Sequence, residues 1–134
     1  MIHSFFEECV PPKTTKQQQG YRRYATAKVN YSKAFLTAVM EKNRPERPLR
    51  GAIRAKLVFT WPHTKESAAL AKKLGVSFVP KITRPDCDNL SKLPWDVMAK
   101  AGFYADDNRI FSMTIEKYHG DMSGIAVELE EVEE

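Results

Sequence analysis

Cysteine is scarce in this chain, with Cys9 and Cys87 alone among 134 residues, far apart and without metal-ligand spacing. That usage excludes a disulfide-stapled fold and a thiolate zinc site, and it suits a reducing compartment. Histidine is thin as well. His3, His63 and His119 stand singly, so no histidine-based metal motif can be written. No apolar run approaches the roughly 20 residues that a membrane-spanning helix needs. The start, Met1-Ile2-His3-Ser4-Phe5-Phe6-Glu7-Glu8, has neither the basic opening nor the apolar stretch of a secretory signal. A cytoplasmic protein is expected. A chain of this length can bury roughly two thirds of its unfolded surface around one core, so a single domain over residues 1–134 is expected.

What the chain does have is charge, distributed unevenly. Residues 1–85 carry 17 Lys and Arg against 5 acids, for +12, whereas residues 86–134 carry 4 against 12, for −8. The basic part points to a polyanionic partner. Within it, residues 13–30 are polar and glutamine-rich, with Lys13, Lys16, Tyr21, Arg22, Arg23, Tyr24 and Lys28 and almost no core-forming periodicity, which reads as an exposed arm or loop. Part of the acidic balance lies in the end 128–134, with five glutamates.

Periodicity supplies the elements. Residues 2–9 read as a first strand, closed by Pro11-Pro12. Tyr31, Phe35, Ala38 and Val39 recur at helical spacing over 31–42, ending at Asn43-Arg44-Pro45. Residues 51–61 alternate, placing Ile53, Ala55, Leu57, Phe59 and Trp61 on one face. Thr64 can cap a helix carrying Ala68, Leu70, Ala71 and Leu74, stopped by Gly75, and Val76–Val79 then extends toward the aspartates. Asp88 or Asn89 can cap the next helix, with Leu90, Leu93, Val97 and Ala101 as its stripe and Gly102 at its end; Pro94 predicts a kink or a later start. Residues 109–118 and 124–131 alternate too, with Phe111, Met113 and Ile115 on one face, and a closing hairpin through Gly120-Asp121 is expected.

Arg84-Pro85-Asp86-Cys87-Asp88-Asn89-Leu90 and the downstream Asp106-Asp107 can bring four carboxylates to one point. Two unit charges 4 Å apart repel by about 4 kcal/mol at a protein surface, so such a cluster calls for a hard divalent cation. In an extended segment Asp86 and Asp88 share one face and can share one ion. The plainer reading makes Asp88 a helix cap and Asp106-Asp107 a turn. A helix-loop-helix calcium site fails at Leu90, Ser91 and Val97, where it needs an oxygen ligand, a glycine and a glutamate. Lys92 either points to solvent or neutralises charge on a phosphoryl group, Asp96 is placed to pair with Lys92, and Cys87 should face the core. Lys117 reads as a solvated strand residue, or as a phosphate contact if it lies beside the aspartates.

These residues, with Lys92, Asp96 and Gly102, resemble the signature of RusA-type Holliday-junction resolvases, endonucleases of bacteria and their prophages. The likeness runs without a gap from Arg84 to Asp107, and Pro11-Pro12-Lys13-Thr14-Thr15 is similar to the start of that family's first loop. It implies a single α+β domain, a mixed β-sheet flanked by helices, assembled as a homodimer. It implies metal-dependent cleavage of four-way DNA junctions in recombination and repair. Asp86, Asp88 and Asp107 would be catalytic metal ligands for Mg2+, with Mn2+ a substitute, Asp106 an auxiliary carboxylate, and Lys92 a catalytic or DNA-contacting cation. DNA contacts would come from Lys13, Lys16, Arg22, Arg23, Lys28 and Arg84, supported by Arg44, Arg47, Arg50, Arg54 and Lys56. Two other classes compete, a non-catalytic DNA-binding descendant of a resolvase and a hydrolase of small phosphate esters. Intact aspartates weigh against the first, and the basic arm against the second.

Overall fold

The computed structural model describes residues 1–11 and 33–132, and of Asp107 the backbone alone. The arm over 13–30 and residues 133–134 lie outside the described residues. In chain order the elements are β1 (Ile2–Glu8), α1 (33–42), β2 (Ala52–Pro62), α2 (Lys65–Leu74), β3 (Phe78–Pro80), α3 (Cys87–Ala101), a 3-10 turn (Asp107–Arg109), β4 (Ile110–Gly120) and β5 (Gly124–Val132). The strands form one mixed sheet in the order β1-β5-β2-β4-β3. No helix among the described residues is long and apolar enough to cross a membrane.

The core forms where alternation on the strands meets helical stripes. β2 buries Ile53, Ala55, Leu57 and Phe59, which gather with Leu36 and Met40 of α1, Leu90, Trp95, Val97 and Met98 of α3, and Ile125, Val127 and Leu129 of β5. In α1 the buried stripe is Leu36, Val39 and Met40, while Ala38 is exposed. The helix is anchored to β1 through the carbonyl of Asn43, 2.6 Å from the ring of His3, and through Lys42 and Glu7 at 3.2 Å. The other sheet face carries Arg54 and Lys56, which pair with Glu130 and Glu116 at 3.6 and 3.8 Å.

The expected β4–β5 hairpin does not exist, because β2 lies between the two strands, parallel to β4 and antiparallel to β5. Alternation reports which face a residue takes, and it is silent on which strand is the neighbour. The link Asp121-Met122-Ser123 steps over β2. Two inter-strand spacings are about 9.6 Å, within the span of about 14 Å available to four residues. Where the link enters β5 it lies close against β1, since a Cβ on Gly124 would meet the Glu7 carbonyl oxygen and the Phe6 ring. A parallel β2–β4 pair in turn demands a long crossover, and α2, β3 and α3 provide it.

Three further expectations are corrected. α3 begins at Cys87, well before Pro94, which is buried in its interior, so of the two outcomes expected at this proline the later start does not occur. A register shift between Ile53 and Arg54 turns Phe111 to the opposite face from Met113 and Ile115, where the Arg54 guanidinium lies 5.4 Å from its ring centre. α2 begins at the expected cap, Thr64, in a reciprocal box with Ser67, yet Leu70 and Leu74 stay exposed and only Ser67 and Ala71 are buried. Gly75 and Gly102 close α2 and α3 with φ of 68° and 93°, as their positions predict.

Candidate active site

The path into the carboxylates begins at the sheet edge. β3 pairs only with β4, and the ladder continues one residue further, with the Lys81 amide donating to the Lys117 carbonyl at 3.0 Å. From there the chain leaves the sheet through Ile82, Thr83, Arg84 and Pro85, with a cis peptide between the last two. Lys117 holds this departure. Its ammonium donates to the carbonyls of Thr83 and Pro85 at 2.8 and 2.7 Å. Lys117 lies beside the aspartates and is not simply solvated: it is a bracket that fixes the backbone immediately before Asp86. The signal was in the alternation: Lys117 shares the helix-covered face with Met113 and Ile115, where an ammonium needs carbonyl partners.

Asp86 is the N-cap of α3, not Asp88 or Asn89. Its backbone is extended, at φ −73° and ψ 149°, and its carbonyl accepts the first helical bond from the Leu90 amide at 3.1 Å. Its carboxylate makes no capping hydrogen bond, and so remains available to another partner. Asp88 falls in the first helical turn, so the two carboxylates straddle the junction of extended chain and helix and do not share one face of a strand. Both are exposed, and neither is in an ion pair among the described residues. The positive end of the helix dipole favours negative charge here by about 0.3–1 kcal/mol per group. Cys87 turns inward as expected, its Sγ 3.9 Å from the Ile115 carbonyl.

Lys92 is exposed four residues beyond Asp88, on the same side of the helix, and pairs with no carboxylate among the described residues. Asp96 does not pair with it; its partner is Lys100, one turn further on, at 3.2 Å. Beyond Gly102 the chain doubles back along α3. The Phe103 amide donates to the Met98 carbonyl at 3.0 Å and the Tyr104 hydroxyl to the Trp95 carbonyl at 2.7 Å. Asp106 then makes a turn, its Oδ1 accepting from the Asn108 amide at 3.1 Å. Asp107 opens the 3-10 turn that leads into β4.

Among the described residues no three His, Cys, Asp or Glu side chains form a group able to hold a metal ion. Asp86 and Asp88 nevertheless fit one end of such a group, being hard oxygen donors with no competing cation, at the mouth of a helix. A third ligand has to come from elsewhere.

Of the expected DNA contacts, Arg84 is exposed beside Asp86, and the arm residues Lys13, Lys16, Arg22, Arg23 and Lys28 lie outside the described residues. Arg44, Arg47 and Arg50 are exposed cations, whereas Arg54 and Lys56 are engaged by Glu130 and Glu116. Much of the acidic end 128–134 is strand β5. Within it the Glu131 carboxylate accepts the backbone amides of Arg50 and Gly51 at 2.6 and 3.0 Å.

The chain is 33% identical over 129 residues to a protein of Lactococcus phage r1t named crossover junction endodeoxyribonuclease rusA, covering 89% of this chain and 90% of the relative. Residues 10–130 match the family described as Endodeoxyribonuclease RusA, a span that includes β2 through β4 and Asp86, Asp88, Asp106 and Asp107. The chain belongs to the RusA endodeoxyribonuclease family.

Proposed function

We propose that this protein is a metal-dependent endonuclease that resolves four-way DNA junctions in the cytoplasm, during recombination and repair, by paired hydrolysis of phosphodiesters. The observation that carries the reading is the pair Asp86 and Asp88, carboxylates at the mouth of a helix with no cation partner among the described residues, on a chain of this family. An exposed carboxylate pair would repel a phosphate, so a binder without chemistry has no use for it.

Asp86 and Asp88 would hold a divalent ion, Mg2+ or Mn2+, with Asp107 as the third ligand and Asp106 as an auxiliary carboxylate. When bound, that ion activates water and offsets charge on the sugar oxygen that leaves. The remaining work falls to the protein. Lys117 keeps the Thr83 to Pro85 backbone in place, so that Asp86 and Asp88 are ordered before substrate arrives. Lys92, on the same side of α3 as Asp88, offers its ammonium to the non-bridging oxygens as they gain charge. Arg84 and the arm residues Lys13, Lys16, Arg22, Arg23 and Lys28 contact backbone phosphates and position the junction without reading bases. Two copies of the chain, related by a two-fold axis, would place one such site on each of two opposed strands.

The test is cleavage of labelled four-way junction, linear duplex and a nucleotide, each with and without Mg2+. Junction-selective, Mg2+-dependent cutting is expected. In Asp86→Asn, Asp88→Asn and Asp107→Asn, cutting should fall by at least about a hundredfold while junction affinity holds or rises, because each change removes an ion ligand and a phosphate-repelling charge. Wild-type cutting by Asp107→Asn would remove Asp107 from the ligand set. Junction binding without cutting under any metal would favour a binding protein instead.

A further inference from the structure

Ile82 is the most solvent-exposed large apolar side chain among the described residues, 92% exposed, against 64% for Met122 and 62% for Val10. It sits at the tip of the segment that leaves β3 for Asp86, and its neighbours are all tied down. Lys81 is held by its amide on the Lys117 carbonyl, and its ammonium donates to the Thr83 hydroxyl at 2.7 Å while lying 5.2 Å from the Trp61 ring centre. Thr83 and Pro85 are held by the Lys117 ammonium through their carbonyls. The tip is thus an isoleucine offered to solvent from a braced backbone, with cations at Lys81 and Arg84 on either side. Such bracing lowers the ordering cost of any contact the tip makes. Asp86 is four positions further along, at most about 14 Å of chain, which is the length of about four nucleotide steps.

An aliphatic side chain between two cations suits one kind of target. Apolar side chains inserted between base steps unstack and kink a duplex, and the cost is least where stacking is already interrupted. A four-way junction has that interruption at its crossover, and a linear duplex has not. We propose that Ile82 is a wedge that enters the opened base step at the crossover while Lys81 and Arg84 hold the flanking phosphates, and that this insertion is what selects junctions over duplex. The inference rests on the function proposed above.

The test places 2-aminopurine, which brightens on unstacking, at each crossover position of an intact junction, bound by Asp86→Asn protein so that no strand is cut. The parent should raise the signal at one or two of these positions. Adding Ile82→Ser should abolish the rise and Ile82→Leu should restore it. In the cleavage-competent chain, Ile82→Ser should cut the paired junction about tenfold more slowly, yet cut a junction with an unpaired base at the crossover at nearly the parental rate, because that substrate is already open. A brightening unchanged by Ile82→Ser, or none in a parent that binds and cuts, overturns the wedge and leaves the nuclease reading intact. Sedimentation of Ile82→Ser at half the parental mass, with the brightening retained, would instead make Ile82 a subunit contact. A parent that neither binds nor cuts junctions overturns both.

Discussion

At the scale of single residues, the site depends on groups that never meet substrate. Lys117 touches two carbonyls and no carboxylate partner among the described residues, so its removal would strand both acceptors of a half-buried, charge-assisted pair. Such bonds are worth about 1.5–3 kcal/mol each when buried, and with partial exposure the loss for Lys117→Met should total about 1–3 kcal/mol. Cleavage should suffer separately from stability. With the Thr83 to Pro85 backbone released, Asp86 and Asp88 bind the ion less well, and the Mg2+ concentration for half-maximal cutting should rise by about tenfold or more. Urea unfolding and a Mg2+ titration of cutting rate measure the two effects; an unchanged Mg2+ requirement would reduce Lys117 to a structural role. The carboxylates themselves were legible in the sequence because the spacing Asp-x-Asp is local. Their bracket was legible only in part: alternation puts Lys117 on the covered face, but which carbonyls it meets depends on strand pairing some thirty residues away.

Secondary-structure elements show the same division. Alternation located every long strand, and glycine and threonine marked the ends of α2, since both signals act over a few residues. What failed was neighbourhood. β4 and β5 have the composition and link of a hairpin, and only the competition for β2 as central strand separates them. At Pro94 the later start fails for a related reason: burial against the core lets α3 begin ahead of a proline where an isolated helix would break. The glutamates Glu128 and Glu130 are legible in the sequence, since in alternation they belong to a strand with one wet face.

Glu131 gives that strand a measurable signature. The amides of Gly51 and then Arg50 hold its carboxyl below the usual glutamate value of 4.5, aided by the charges of the N-terminus and Arg47 and opposed by slight desolvation. A carboxyl depressed in the folded state stabilises the protein fully above its unfolded value, and the contribution is lost as pH falls through the folded value. Stability should therefore decline on acidification below about pH 4.5, and Glu131→Gln should flatten part of that decline. Urea midpoints at about pH 5 and about pH 3 for the two proteins test this; parallel declines would count against a linkage through Glu131.

For the molecule as a whole, the proposed activity sets a requirement on assembly. Two opposed strands of a junction present equivalent bonds related by a two-fold axis, and one chain carries one carboxylate pair. Sedimentation at micromolar concentration should find a species of twice the 15.3 kDa chain mass. A monomer that nicks a single strand and releases the junction unresolved would speak against the symmetric assembly.

The position of β5 also bears on how the chain reaches this state. β5 is the last strand in sequence, yet it is inserted between β1 and β2, so that Ile2 faces Glu130 and Ala52 faces Val132. Nothing emerging earlier from a ribosome can fill that gap. β1 must wait, with its apolar side chains uncovered, until β5 has been made. Closing so long a loop costs only a few kcal/mol, but it delays the reward, and mixed sheets with such distant pairings fold slowly and expose sticky intermediates meanwhile. Folding should thus follow the synthesis of β5, and chains that stop short of it should seldom acquire this sheet.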